Sequence, residues 1–218
     1  MRPLFKQAGH AFYSPTYTGL GERAHLARSD IDLSTHIQDV LSVLEFEDLN
    51  DVILIGHSYG GMVATGVADN AAGRIRTLIY LDAFAPKNGQ SLFDLVGPKV
   101  EANMRAGAAR DGEGWKIPPI DPPPDTTPED LAWTAPRRRP QPIKTFEQKI
   151  RLGSKTLPPR HYIYARKFRP GDGFRQFAER ARTEPGWKCH EIEASHNPHI
   201  TCPNLLMATL TQIMAGQS

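Results

Sequence analysis

The 218-residue sequence has little cysteine, little net charge and no long apolar run. Its two cysteines, Cys189 and Cys202, are too few for a disulfide framework, which favours reduced thiols in a cytoplasmic protein. The 26 basic and 24 acidic residues leave a net charge of +2, so nucleic acid is not an expected partner. No stretch is apolar enough to span a membrane, and the first residues lack the apolar core of a signal peptide.

No pattern of ligands for a metal stands out either. His196 and His199 have an i, i+3 spacing that could hold a metal ion, and Cys202 follows closely. No carboxylate or cysteine cluster completes the set, so we expect neither a metal nor a cofactor. The basic run at 137–139 is flanked by prolines and is interpreted as a solvated loop.

The strongest positive signal is the run DVILIGHSYGGMVA at residues 51–64. Its apolar part, 52–55, is typical of a parallel strand that is covered on both faces. Ser58 then lies between Gly56 and Gly60 in a G-x-S-x-G pattern, where we expect a side chain at either glycine to crowd a sharp turn. The run predicts a strand, a nucleophile elbow that exposes the Ser58 hydroxyl, and a helix.

The whole chain resembles the α/β-hydrolases, and among them the branch that contains esterases and hydroxynitrile lyases. The segments that carry the resemblance are TYTGLGERAHL (16–26), GHSYGG (56–61), LIYLDAFAP (78–86) and ASHNP (194–198). The resemblance implies a serine hydrolase acting on a small carboxylic ester, with Ser58 as nucleophile. The N–H of Tyr59, at the start of the following helix, is the expected donor to the oxyanion.

Strands alternate with helices along the chain, which indicates a mostly parallel sheet with helices on both faces. The predicted strands cover residues 10–14, 52–55, 76–81, 161–165 and 190–192. The predicted helices cover residues 32–48, 59–70, 174–182 and 204–215. Ser34 is the expected N-cap of the first of these helices.

Residues 87–159 interrupt this alternation. Their dense prolines argue against long helices and central strands. A loop of this length is unusual in a compact domain unless it is functional, and the resemblance places a lid after the strand that ends near Asp82. We therefore expect one domain, built from a core part at 1–86, a lid at 87–159 and a second core part at 160–218.

A serine hydroxyl needs a base, and the base needs a carboxylate to orient it, in the chain order serine, acid, histidine for this fold. His196 is the expected base because it lies in the loop after the last predicted strand, where the family has its histidine. His199, three residues later, is the alternative. His57 abuts the nucleophile, and its side chain is expected to point away from the hydroxyl.

The acid has two candidates. The resemblance implies an aspartate after the next-to-last strand, but residues 166–169 are basic or aromatic there, and Asp172 comes several residues later. Asp82 ends the strand after the elbow helix, where haloalkane dehalogenases and certain lipases place their acid. We prefer Asp82 because a strand end fixes a carboxylate better than a glycine-flanked loop. Asp172 would then cap a helix that starts at Phe174.

Relative to that family, the first strands are absent from the sequence, together with a loop that donates a second oxyanion N–H. Either the natural start lies upstream, or part of the site has been lost or replaced. We expect a gap in the centre of the sheet or a rearrangement of its strands, and an exposed edge that would favour a homodimer. Loss of one oxyanion donor typically costs about 100- to 1000-fold in turnover.

Two other functions stay open. A protein of this fold with an incomplete site could be a ligand-binding protein that has no turnover. A hydroxynitrile lyase would use the same serine, histidine and aspartate together with a lysine from the lid, for which Lys87, Lys99 and Lys116 are the candidates.

Overall fold

A four-stranded parallel sheet forms the centre of the fold in the computed structural model, which describes residues 1–154, 157–167 and 171–216. In chain order the strands are β1 (Val52–Ser58), β2 (Ile75–Ala83), β3 (Lys116–Ile117), β4 (Gln141–Pro142), β5 (Arg160–Ala165) and β6 (Trp187–Ile192). The longer strands pair in the order β1-β2-β5-β6, while β3 and β4 form a separate antiparallel pair. The helices are α1 (Arg2–Gln7), α2 (Leu33–Phe46), α3 (Gly60–Asn70), α4 (Leu92–Val96), α5 (Pro98–Asp111), α6 (Pro128–Thr134), α7 (Lys144–Glu147), α8 (Arg175–Thr183), α9 (Pro198–Thr201) and α10 (Pro203–Ala215).

Alternate residues of the sheet face two separate apolar cores. Leu78 and Tyr80 of β2 pack on one face with α2, α3 and α8, while Ile79 and Leu81 pack on the other face with α1 and α10. All four side chains are buried, so the central strands carry apolar residues on both faces. The predicted fold class, a mostly parallel sheet with helices on both faces, is confirmed. Among the described residues, no helix has the length and apolarity needed to cross a bilayer.

The strand predicted at residues 10–14 does not form. A strand requires a hydrogen-bonded neighbour, and residues 11–17 lack regular structure. Most of them line an apolar cleft of about 600 Å³, whose walls include Phe12, Ile53 and Ile55. The order of the described strands puts β1 at the edge of the sheet, paired with β2. Of the two expected outcomes, a gap at the centre of the sheet is not observed: the described strands are continuous from β1 to β6, and the apolar cleft lies beside β1 at the edge.

Helix α2 is capped by Asp32, and the prediction that Ser34 caps it is wrong. The Asp32 carboxylate accepts the N–H of Thr35 at 2.9 Å, as an N-cap side chain should. Ser34 is used differently: its N–H donates to Gln148 Oε1 at 2.7 Å, and its hydroxyl accepts from Gln148 Nε2 at 2.9 Å. This pair of hydrogen bonds joins α2 to the 87–159 segment.

The 87–159 segment contains a helix of 14 residues, α5, although its prolines argue against long helices. Pro98 occupies the first position of α5, where the missing N–H is not needed and the fixed φ suits a helix. The prolines at 118, 119 and 122–124 follow the end of that helix. The prolines therefore mark the start of α5 and follow its end, and they do not prevent the helix. Their positions decide this, and their number alone does not.

Candidate active site

Ser58 ends β1 in a strained backbone conformation. Its φ of +53° lies in the left-handed region, which costs a residue with a Cβ roughly 1–2 kcal/mol. Tyr59 follows as the N-cap of α3, so the chain passes from strand to helix within two residues. The predicted strand, turn and helix are all present, and the turn carries the Ser58 hydroxyl at the carboxyl end of the sheet.

The glycines of the elbow are not equivalent. A Cβ at Gly56 would lie 2.6 Å from the carbonyl oxygen of Gly60, so the expected crowding is confirmed there. For Gly60 the expectation is wrong, because the nearest atom to an added Cβ would be the Tyr17 hydroxyl at 3.5 Å. The tightest position is Gly61, where a Cβ would lie 2.1 Å from the carbonyl oxygen of Phe84. The doubled glycine in the motif is the signal that could have identified this close approach.

Asp82 sits in an irregularity of β2 that faces the elbow. The register pairs His57 with Leu81 and Ser58 with Ala83, which leaves Asp82 as the extra residue of a bulge. Its φ is +44° and its side chain is fully buried. Asp82 Oδ1 accepts the N–H of Ala165 at 3.3 Å, so the ends of β2 and β5 hold the carboxylate between them.

His196, in the loop between β6 and α9, contacts both of these residues. Its Nδ1 lies 2.7 Å from Asp82 Oδ2, and its Nε2 lies 3.0 Å from Ser58 Oγ. A carboxylate oxygen accepts, so the proton of a neutral His196 is on Nδ1, and Nε2 can accept the Ser58 O–H. The structure thus brings together three side chains that lie 114 and 138 residues apart in the chain.

Asp172 is engaged elsewhere. Its Oδ1 accepts the N–H of Phe174 at 3.0 Å, one residue before α8 begins, and its Oδ2 accepts the Tyr164 hydroxyl. The expectation that Asp172 caps the helix is wrong, because Phe174 is the N-cap of α8 and no side chain in the described part of the chain caps that helix. Residues 168–170 of the same loop lie outside the described residues.

His199 lies behind the site. Its ring packs edge-on against His57, with the centroids 4.6 Å apart, and its Nδ1 is buried without a hydrogen-bond partner in the described structure. Burial, and to a smaller extent the charge of His196, lower the pKa of His199 to about 4. His199 is therefore a neutral packing residue at neutral pH.

The phenol of Tyr59 is anchored by a network that the sequence analysis missed. Tyr59 Oη lies 2.8 Å from His36 Nδ1, and His36 Nε2 lies 3.0 Å from the Thr18 carbonyl. Because the carbonyl accepts, Nε2 carries the His36 proton, and Nδ1 accepts from Tyr59. Burial raises the pKa of Tyr59 well above its ordinary value and lowers the pKa of His36, so the pair is neutral. The network holds Tyr59, and with it the N–H that follows the nucleophile.

Aromatic rings surround these polar groups. Phe174 stacks on the imidazole of His196 with the centroids 4.8 Å apart, and it also packs against Phe84 at 4.9 Å. Phe146 of α7 stacks on Tyr59 at 5.6 Å. The 87–159 segment thus contributes an aromatic side chain next to the elbow.

Comparison with known proteins identifies similar sequences and structures. The sequence profile of the Alpha/beta hydrolase family matches residues 1–209. The chain is 40% identical to a carbendazim hydrolyzing esterase from Nocardioides sp. (strain SG-4G), in an alignment that covers 95% of this chain and 90% of that protein.

Solved structures resemble the fold as well. An extracellular alpha/beta-hydrolase from a Paenibacillus species superposes with a TM-score of 0.82 at 22% identity, covering 97% of this chain and 90% of that one. Tomato Methylketone Synthase I gives a TM-score of 0.77 at 18% identity, covering 100% of this chain and 92% of that one. At these identities the likeness concerns the fold.

Proposed function

The chain belongs to the alpha/beta hydrolase family and is a hydrolase of its esterase branch, and we propose that it cleaves small carboxylic esters through Ser58, His196 and Asp82. The observation that carries the proposal is the continuous hydrogen-bonded line from Ser58 Oγ through the imidazole to the buried carboxylate, at 3.0 and 2.7 Å. A hydroxyl, a neutral imidazole and a carboxylate in this order activate a serine for attack on a carbonyl carbon.

In the acylation half of the proposed reaction, His196 Nε2 takes the Ser58 proton as Oγ attacks the ester carbonyl carbon. The carbonyl oxygen becomes an oxyanion, which the N–H of Tyr59 and the positive end of α3 stabilise. The carbon–oxygen bond to the alcohol then breaks, and the alcohol leaves with the proton from His196. The product is an acyl ester of Ser58.

In the deacylation half, a water molecule gives its proton to His196 and attacks the acyl carbon. The second intermediate collapses, Ser58 Oγ recovers the proton, and the carboxylic acid leaves. Asp82 keeps the imidazole in the Nδ1–H form and balances its positive charge after each proton transfer. Because the Asp82 side chain is fully buried, its negative charge acts with little screening by water.

The relative that hydrolyses carbendazim makes that compound the first substrate to assay, together with simple aryl esters. The stacked rings of Phe174 and Phe146 beside His196 and Tyr59 support an aromatic or otherwise apolar group next to the scissile bond. The 87–159 segment, which supplies Phe146 and is bonded to α2 through Gln148, would act as the lid that shapes this binding site.

The lyase alternative has less support. It requires a free lysine near the nucleophile, but Lys87 Nζ pairs with Glu184 at 3.0 Å and Lys116 Nζ pairs with Glu113 at 2.5 Å. Two of the three candidate lysines are thus engaged with carboxylates.

The test is hydrolysis of p-nitrophenyl acetate and of carbendazim by the wild type and by Ser58→Ala, with fluorophosphonate labelling followed by peptide mapping. We expect a single adduct on Ser58 and a loss of at least about 10,000-fold in kcat for the variant. Ser42→Ala is the matched control, since that hydroxyl lies on α2 and accepts Gln38 Nε2 at 3.2 Å. Turnover that survives in Ser58→Ala would refute the proposal, and tight binding without turnover in the wild type would favour a binding protein.

A further inference from the structure

We propose that His57, the residue before the nucleophile in the G-x-S-x-G elbow, is a positioning residue that connects the loop carrying His196 to the nucleophile. The inference deepens the proposed function and rests on it for its kinetic consequence. His57 contacts the backbone and the ring of His196, so it would act through the placement of the base.

The first observation is a hydrogen bond between the two segments. His57 Nε2 lies 2.7 Å from the backbone carbonyl oxygen of His196, across 139 positions of sequence. A carbonyl oxygen only accepts, so Nε2 of His57 donates to it. The residue immediately before the nucleophile therefore fixes the backbone of the base, which links the end of β1 to the loop after β6.

The second observation is ring packing on the same histidine. The His196 imidazole contacts two rings, Phe174 at 4.8 Å with 20° between planes and His57 at 4.7 Å with 39°. Hydrogen bonds to Ser58 and Asp82 fix the two nitrogens of the ring, but they leave its backbone free to shift. His57 supplies both a ring contact and a backbone hydrogen bond to His196.

His57 is also packed against a second histidine. The His199 ring lies edge-on to it at 4.6 Å, and burial lowers the pKa of His199 to about 4, so no positive charge develops there at neutral pH. Loops hold reacting groups less accurately than strands do, and a misplacement of about 1 Å in a catalytic group costs about 100-fold in rate. Because His57 lies on β1, its contact with His196 would keep the loop-borne base in position and so limit this loss of rate.

The test compares His57→Leu with His57→Gln. Leucine keeps the bulk and removes the donor, whereas the Nε2 of glutamine can reach the position of the imidazole Nε2 and restore the hydrogen bond. With p-nitrophenyl acetate and rates normalised to titrated Ser58, we expect kcat to fall about 10- to 100-fold in His57→Leu with KM within about threefold. His57→Gln should stay within about fivefold of the wild type.

A second readout does not depend on turnover. The proton on His196 Nδ1, bonded to Asp82, should give a downfield proton NMR resonance in the wild type and in Ser58→Ala. We expect that resonance to broaden or disappear in His57→Leu and to return in His57→Gln. If the wild type shows no turnover that depends on Ser58, but the resonance is lost in His57→Leu and returns in His57→Gln, the proposed ester hydrolysis is overturned and the positioning of His196 by His57 is supported. An unchanged resonance or an unchanged kcat in folded His57→Leu, or a His57→Gln as impaired as His57→Leu, would overturn the positioning role.

Discussion

Replacing Asp82 with asparagine tests which carboxylate serves the base. The backbone tolerates this change, because asparagine adopts a φ near the observed +44° more readily than most residues. The amide oxygen can keep the hydrogen bond that Asp82 Oδ1 accepts from the N–H of Ala165. The amide nitrogen then faces His196 Nδ1 and donates to it, which forces the proton of the imidazole onto Nε2.

The magnitude follows from that change of tautomer. With a proton on Nε2, His196 cannot accept the Ser58 hydroxyl at 3.0 Å, and the positive charge that forms on the ring loses a fully buried counter-charge at 2.7 Å. We expect kcat to fall about 1000- to 10,000-fold, which is about 4–5.5 kcal/mol in the barrier, with KM nearly unchanged.

Asp172→Asn is the matched control. Asparagine at that position can still accept the N–H of Phe174, and the Tyr164 hydroxyl keeps a partner, so kcat should stay within about threefold of the wild type. The assay is hydrolysis of p-nitrophenyl acetate per titrated active site, with circular dichroism to verify folding. A larger loss in Asp172→Asn than in Asp82→Asn, or more than a tenth of the activity left in Asp82→Asn, would refute the reasoning.

Two further outcomes are expected. Gly61→Ala should destabilise the fold by about 3 kcal/mol or more in urea unfolding, because its Cβ would lie 2.1 Å from a backbone carbonyl oxygen. In the control Gly60→Ala the nearest atom to the new Cβ is 3.5 Å away, so the loss of stability should be less than about 1 kcal/mol. Equal losses in the two variants would contradict the close approach at Gly61. The pKa of His199 is about 4 in the folded protein and about 6.5 in the unfolded chain. Between these pH values the unfolded chain binds a proton on His199 that the folded protein does not bind. The contribution of His199 to the free energy of unfolding is therefore present above pH 6.5 and is lost as the pH falls towards 4. The loss amounts to about 3 kcal/mol, and His199→Gln should flatten the pH dependence of the unfolding free energy by up to one proton; an unchanged slope would contradict a buried neutral ring.

The elbow could be predicted from sequence because its signals are local. The apolar run of β1, the glycines and the small residues of α3 all lie within about a dozen consecutive positions, and each constrains its own neighbours. The prolines of the 87–159 segment misled the analysis for the opposite reason. A proline ends or starts a helix according to its position, and Pro98 starts one.

Longer-range features were less accessible. Residues 10–14 have the composition of a strand, but whether they form one depends on a pairing partner elsewhere in the chain. The choice between Asp82 and Asp172 depends on a bulge in β2, which brings the Asp82 carboxylate to His196, and on the hydrogen bonds of Asp172 to the Phe174 N–H and the Tyr164 hydroxyl. Neither the bulge nor these hydrogen bonds leave a pattern in the sequence strong enough to decide between two aspartates.

Two of the five described non-glycine residues with positive φ, Ser58 and Asp82, lie where the proposed chemistry takes place. Ser58 and Asp82, at the ends of neighbouring parallel strands, both have positive φ values, and each such residue costs roughly 1–2 kcal/mol. The structure keeps both because the packing around them leaves little room to relax: Gly61 lies against the backbone that follows Asp82, and the Phe84 N–H donates to the Ser58 carbonyl at 3.1 Å. A change of the backbone conformation at Ser58 or Asp82 would break these contacts between the ends of β1 and β2. Variants that weaken these contacts, such as Gly61→Ala, should therefore lose the alignment of Ser58 with His196 before the sheet itself unfolds.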